Sequence, residues 1–113
     1  MTIDELYQII CERRDQPSKE SYTASLLSQG EDKILKKVGE EAMEVILAAK
    51  GQGDQRLIEE ISDLFYHVLV LLASRNLSPA DIERELEKRH KIKSSSETEK
   101  MPSPKQTSGT NLA

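Results

Sequence analysis

Two acidic pairs at helical spacing are the residues of this chain best suited to chemistry. The first lies in Glu40-Glu41-Ala42-Met43-Glu44 and the second in Glu60-Ile61-Ser62-Asp63. Side chains three apart on a helix are neighbours, with roughly 5–6 Å between Cβ atoms. Glu41 with Glu44, and Glu60 with Asp63, therefore each form a carboxylate patch. Only the turn Gly51-Gln52-Gly53-Asp54 separates the two stretches, so the helices are expected to fold back on each other. Four carboxylates facing one cleft repel strongly unless a cation sits among them. An all-oxygen ligand set suits a hard ion such as Mg²⁺.

Helical periodicity, at about 100° per residue, sets where these acids point. On the first of the two helices Ile34, Val38, Ala42, Val45 and Ala49 form an apolar stripe. Glu41 and Glu44 lie on one flank of it, beside Lys37 and Ala48, while Glu40 points more nearly away. On the second helix Leu57, Ile61, Leu64, Val68, Leu71 and Leu72 form the stripe, and Glu60, Asp63 and His67 line one flank. Both pairs thus border a buried face, where the rim of a cleft would be. The plain alternative is a solvated helix face, which is commonly rich in Glu and Lys.

The rest of the chain must supply a scaffold for these helices. Its 113 residues suffice for one small domain with a modest core. Aromatics make up 4% and there is no Trp, which favours helices packed through aliphatic side chains over a sandwich. A net charge of −4 argues against a general nucleic-acid binder, which needs a basic footprint. No apolar run is long enough to span a membrane, and no signal peptide opens the chain. Cys11 is the single cysteine. An internal disulfide is therefore impossible, and a cytoplasmic location is expected.

Five helical segments are legible, and an all-α fold follows. Thr2-Ile3-Asp4-Glu5 reads as a capping box opening a helix to about Arg14. Ser21-Tyr22-Thr23 leads into a short segment through Leu26-Leu27 that stops at Gly30. The third helix spans about Glu31 to Lys50 with Gly51 as its stop. Asp54 is expected to cap the fourth, which runs to about Arg75. Ser78-Pro79 opens a charged fifth helix to about Lys91. Residues 1–93 form the domain. The Ser/Thr/Pro-rich residues 94–113 have too few apolar side chains to offset their ordering entropy and read as a disordered tail. The fourth helix is also apolar at Phe65, Leu69, Val70 and Ala73. That excess predicts a homodimer in which helices three and four of each subunit pair as a four-helix bundle.

The strings Ser21-Tyr22-Thr23-Ala24-Ser25-Leu26-Leu27, Lys36-Lys37-Val38-Gly39-Glu40-Glu41-Ala42 and Asp63-Leu64-Phe65-Tyr66-His67-Val68-Leu69-Val70 closely resemble the phosphoribosyl-ATP pyrophosphohydrolase family. This family belongs to the MazG-like all-α nucleotide pyrophosphohydrolases, and the resemblance covers about residues 3–91. It implies Mg²⁺-dependent hydrolysis of phosphoribosyl-ATP to phosphoribosyl-AMP and pyrophosphate, a step of histidine biosynthesis. Carried across by position, it implies Glu41, Glu44, Glu60 and Asp63 as metal ligands, with Glu40 as a further ligand or an aid to the attacking water. The chain lacks the length and cysteines of the zinc cyclohydrolase to which this activity is sometimes fused, so a stand-alone enzyme is expected.

The remaining polar residues then take candidate roles. Lys36 and Lys37 are placed to contact phosphate oxygens, Lys37 the better of the two, unless it pairs with Glu41 instead. Ser21 and Thr23 offer hydroxyl donors to substrate, although Ser21 also suits a helix N-cap. Tyr22 can stack on substrate or hydrogen-bond to it, and Arg13 can reach a second phosphate. His67 is placed to orient Asp63. Two other readings use the same residues: a house-cleaning nucleoside triphosphate pyrophosphohydrolase, and a non-catalytic helical dimer.

Overall fold

The computed structural model describes residues 1–96. They form five α-helices and, among the described residues, no strand: α1 Ile3–Asp15, α2 Tyr22–Gln29, α3 Glu31–Gly51, α4 Asp54–Ser74 and α5 Pro79–Ser96. The fold is all-α. Of the tail expected over 94–113, residues 97 onward lie outside the described residues.

The caps explain why the first helices begin where they do. Thr2 N–H donates to Glu5 Oε1 at 2.8 Å, and Glu5 N–H donates to Thr2 Oγ1 at 3.0 Å. This capping box satisfies donors that the first helical turn leaves orphaned. At α2 the N-cap is Ser21, whose Oγ accepts from Ala24 N–H at 3.0 Å.

At the α3–α4 turn the sequence reading needs correction. Gly51 is the last helical residue of α3 rather than its stop, and Asp54 is the first residue of α4 rather than its cap. The chain reverses at Gly53, whose φ of +90° lies in the left-handed region that a Cβ disfavours. The fifth helix likewise runs past Lys91 to Ser96.

α1–α4 share one core. Its largest fully buried side chains are Ile10, Leu26, Ile34 and Val70, one from each helix, and each such burial stabilises the fold by about 1.5–3 kcal/mol. α3 and α4 make the most extensive helix pair. Two polar ties fix the far end of α4 against α1. Tyr7 donates its hydroxyl to the Leu77 carbonyl. Arg14 Nη1 donates to the Ala73 carbonyl at 2.8 Å and to Asn76 Oδ1 at 3.3 Å. Among the described residues, those from Ala80 onward belong to a separate unit. Within it α5 carries the ion pairs Asp81–Arg84 and Glu85–Arg89 and exposes Ile82, Leu86 and Ile92.

The buried faces are rotated from the apolar stripes read in the sequence. On α3 Ala48 is buried and Ala49 exposed. On α4 the buried residues are Glu60, His67, Leu69, Val70 and Ala73, whereas Val68 is exposed. The side of α4 expected to border the core is thus part of its centre. Of the four excess apolar residues of α4, Leu69, Val70 and Ala73 are buried in the chain's own core, and only Phe65 faces outward.

The α3–α4 turn supplies a paired test. Gly53→Ala forces a side chain into a left-handed conformation and is expected to destabilise by about 1–2 kcal/mol. Gly51→Ala meets no atom within 4 Å of the added Cβ, and in a helical residue it should be neutral or stabilise by roughly 0.5–1 kcal/mol. Thermal melts of the two variants should move in opposite directions, or Gly53 alone should move.

Candidate functional site

The α3–α4 hairpin delivers three carboxylates to one point. Oxygen atoms of Glu41, Glu60 and Asp63 all lie within 4.8 Å of one another. Glu60 is 4% exposed, Glu41 is half-buried and Asp63 faces solvent. The group therefore grades from a buried floor to an open rim.

Electrostatics make this arrangement costly when nothing binds it. Glu60 is neutralised in part by Arg56, whose Nη2 lies 2.8 Å from Glu60 Oε2. Arg56 also bonds to Glu59 at 3.2 Å. Glu41 has no such partner: its Oε1 is buried and accepts no hydrogen bond. His67 Nδ1 is 3.9 Å from that oxygen, too far for a hydrogen bond. Desolvation by burial, and next the charge of Asp63, hold the Glu41 carboxyl above the ordinary carboxylate range. An orphaned buried oxygen inside an all-carboxylate group is what a hard divalent cation satisfies. The residues present fit Mg²⁺.

The other acids of the sequence reading are placed differently. Glu44, on the same flank of α3, is half-buried and is not among the three clustered carboxylates. Glu40 is exposed and lies 3.6 Å from Lys37 Nζ, so the lysine pairs with Glu40 and not with Glu41. Lys36 is exposed.

The Ser21-Tyr22-Thr23 segment meets the site through α4. Ser21 and Thr23 are buried, at 7% and 5% exposure. Ser21 Oγ is engaged as the N-cap of α2, and Thr23 Oγ1 is bonded to the Tyr66 hydroxyl. Both hydroxyl oxygens already take part in a hydrogen bond within the protein. Tyr22 is half-exposed, with its hydroxyl 3.1 Å from His67 Nε2. His67 Nδ1–H donates to the Asp63 carbonyl at 3.0 Å. The tie from His67 thus goes to the backbone of Asp63, not to its carboxylate. Tyr66 escaped the sequence reading because an aromatic residue inside Leu64–Leu72 looks like core. Only its hydroxyl marks it otherwise.

Two concave surfaces lie at the α1–α2 junction. A cavity of about 420 Å³ is lined by Pro17, Ser18, Lys19, Ala24, Ser25 and Ser28. Beside it, one of about 270 Å³ includes Arg13 and Arg14. No member of the acid cluster lines either. They form a basic, small-residue hollow at the α1–α2 junction.

Comparison with known proteins agrees with this architecture. The sequence model of the family described as phosphoribosyl-ATP pyrophosphohydrolase matches residues 3–90. A phosphoribosyl-ATP pyrophosphatase of Clostridium botulinum strain Hall is 54% identical over 87 residues, covering 77% of this chain and 79% of the relative. One from Pelotomaculum thermopropionicum is 53% identical over 92 residues, covering 81% of this chain and 94% of the relative. A third, from Trichlorobacter lovleyi, is 55% identical over 87 residues, covering 77% and 81%.

The orphaned oxygen of Glu41 makes a stability prediction. A carboxyl whose pKa is raised by folding weakens the fold as pH climbs from the unfolded value through the raised one. Above that window the penalty is fully present. Glu41→Gln should therefore raise the melting temperature of the metal-free protein at neutral pH and flatten its decline above pH 5. An unsatisfied buried acceptor costs about 1–3 kcal/mol. Recovery of about 1 kcal/mol corresponds to roughly 4–8 °C in a domain this small. The same variant should be stabilised less by an added divalent cation than the native chain.

Proposed function

The chain belongs to the phosphoribosyl-ATP pyrophosphohydrolase family, and we propose that it hydrolyses phosphoribosyl-ATP to phosphoribosyl-AMP and pyrophosphate for histidine biosynthesis in the cytoplasm. The observation that carries the reading is the Glu41–Glu60–Asp63 group with its unpartnered buried oxygen, in a chain matching the family over nearly all its described residues. No helix among the described residues is long and apolar enough to cross a membrane.

In this reading Glu41, Glu60 and Asp63 hold Mg²⁺, and Glu44, one turn beyond Glu41, joins them as a fourth ligand. When bound, the ion supplies neutralisation of the charge that develops as water attacks the triphosphate. The protein's own groups do the rest. Asp63 opens the cluster to solvent, so substrate phosphates approach from its side. Glu40, outside the cluster and solvent-facing, takes the proton of the attacking water once phosphate has drawn Lys37 from it. Lys36 and Lys37 bind phosphate oxygens.

The half-exposed ring of Tyr22 gives the substrate a stacking surface. Arg13, beside the hollow at the α1–α2 junction, takes the ribose phosphate that distinguishes phosphoribosyl-ATP from ATP. Ser21 and Thr23 contribute by holding α2 in place, because their hydroxyl oxygens are already engaged.

The outward apolar residues of α3 and α4 support a homodimer. Met43, Ile46, Leu47, Ile58 and Phe65 are 46–58% exposed. A second copy covering them with its own α3 and α4 completes a four-helix bundle. Light scattering at micromolar concentration should give twice the chain mass, and Ile46→Lys with Phe65→Lys should give a folded monomer.

Activity assays test the site. Asp63→Asn and Glu60→Gln keep the side-chain shapes but remove a charge that holds the ion. A loss of about 3 kcal/mol in stabilisation is roughly a hundredfold in rate, and chelation should abolish pyrophosphate release outright. Near-normal turnover in both variants would rule out the metal site. For substrate choice, each charge-assisted hydrogen bond contributes about 1.5–3 kcal/mol. Losing two such contacts leaves ATP on the order of a hundredfold poorer in kcat/KM, and Arg13→Ala should narrow that gap. Equal efficiency on the two nucleotides would instead assign the chain to general triphosphate hydrolysis.

A further inference from the structure

The side chains of Tyr22, Tyr66 and His67 form a cluster that joins α2 to the acid-bearing turn of α4. The Tyr22 and Tyr66 rings stack with centroids 6.2 Å apart and planes at 27°. Each meets the imidazole edge-on, at 6.0 Å and 5.0 Å. These rings carry a directed chain of hydrogen bonds. A carbonyl oxygen can only accept, so His67 Nδ1, 3.0 Å from the Asp63 carbonyl, must carry a proton. In the neutral ring Nε2 is then the acceptor, and the Tyr22 hydroxyl at 3.1 Å donates to it. Tyr22 is in turn half-exposed and lies at the first position of α2. That end of α2 is also held against α4 by the hydroxyl pair Thr23–Tyr66, one residue after Tyr22 on α2 and one residue before His67 on α4.

We propose that Tyr66 is a positioning residue, which keeps the Tyr22 hydroxyl on His67 Nε2 and so joins the Asp63 carbonyl in fixing the imidazole in its Nδ1–H form beside Glu41. The ring that bonds to the Asp63 backbone and lies 3.9 Å from Glu41 Oε1 is then held by a lock that begins in α2. The alternative for Tyr66 is a ring that only fills space, and the two differ in what the hydroxyl does. The proposal rests on the metal role assigned to Glu41 and Asp63, but its first consequence does not.

Long-range ¹H–¹⁵N spectra of the metal-free protein read the tautomer directly. The chain has two histidines, and His90→Gln assigns the spectrum by difference. The native protein should show His67 as the Nδ1–H tautomer. Tyr66→Phe, which keeps the ring, and Tyr22→Phe should each shift it toward a mixture of both forms. An unchanged Nδ1–H signature in Tyr66→Phe, or an Nε2–H form in the native chain, overturns the proposal. Mn²⁺ titration supplies the second readout. Loss of a group that orients metal ligands lowers affinity by roughly 10–100-fold, so Tyr66→Phe should weaken Mn²⁺ by at least about tenfold with its helicity intact. A variant that binds Mn²⁺ as tightly as the native chain also overturns it. If the native chain itself binds no Mn²⁺, the metal reading falls and the spectra alone decide the role of Tyr66.

Discussion

Like charges held together at a helix seam are the constraint to which the rest of this fold answers. Glu41 on α3 and Glu60 and Asp63 on α4 lie within 4.8 Å of one another, an arrangement that repulsion and desolvation oppose. It persists because the apolar side chains of the same helices stabilise the seam independently. Ile34 and Ala48 on α3, and Val70 and Ala73 on α4, are buried almost completely. Only a short, defined turn keeps the levels matched. Glu41 precedes Gly53 by twelve residues (53 − 41) and Asp63 follows it by ten (63 − 53). At about 1.5 Å per residue the two therefore stand at nearly equal height along the hairpin. A turn one residue longer would rotate one acid out of the group.

Partial neutralisation decides which acid is left in need. Arg56 reaches Glu60 from one turn away on the same helix, so the most buried carboxylate has a cation and is tolerated. Lys37 turns to the exposed Glu40 instead of to Glu41. The result is a graded site. One acid is paired, one is buried and unpaired, and one faces water. A cation entering from the Asp63 side meets the unpaired oxygen without first displacing a salt bridge. That asymmetry is what separates a binding group from a merely acidic helix face.

Much of this was legible in the residues. The helices announce themselves through Thr2 and Glu5, through Ser21, and through the period of the aliphatic residues. The acidic spacing and the turn between the pairs point to one site. What the pattern could not resolve was rotation. α4 is apolar around most of its circumference, so hydropathy alone could not tell the side packed on its own chain from the side left outward. Ala48 and Val70 therefore lie inside, and Ala49 and Val68 outside. The stop at Gly51 was misplaced for a related reason. Glycine marks a turn region, but only the backbone reveals that Gly53 takes the positive φ.

The Ser-Tyr-Thr segment shows why residue type alone misleads about role. Hydroxyls near a phosphate-handling site look like substrate donors, and nothing in a linear sequence says whether they are already committed. Here Thr23 finds its partner 43 residues away, in Tyr66, and Tyr22 finds His67 at a separation of 45. These long-range pairs tie the short helix α2 to α4, yet they meet α4 in a single turn, immediately after Asp63. A segment that lies far from the acids in the chain is thus tied to the turn of α4 that follows Asp63. The hydroxyls of Ser21 and Thr23 are turned inward, while the Tyr22 ring is half-exposed.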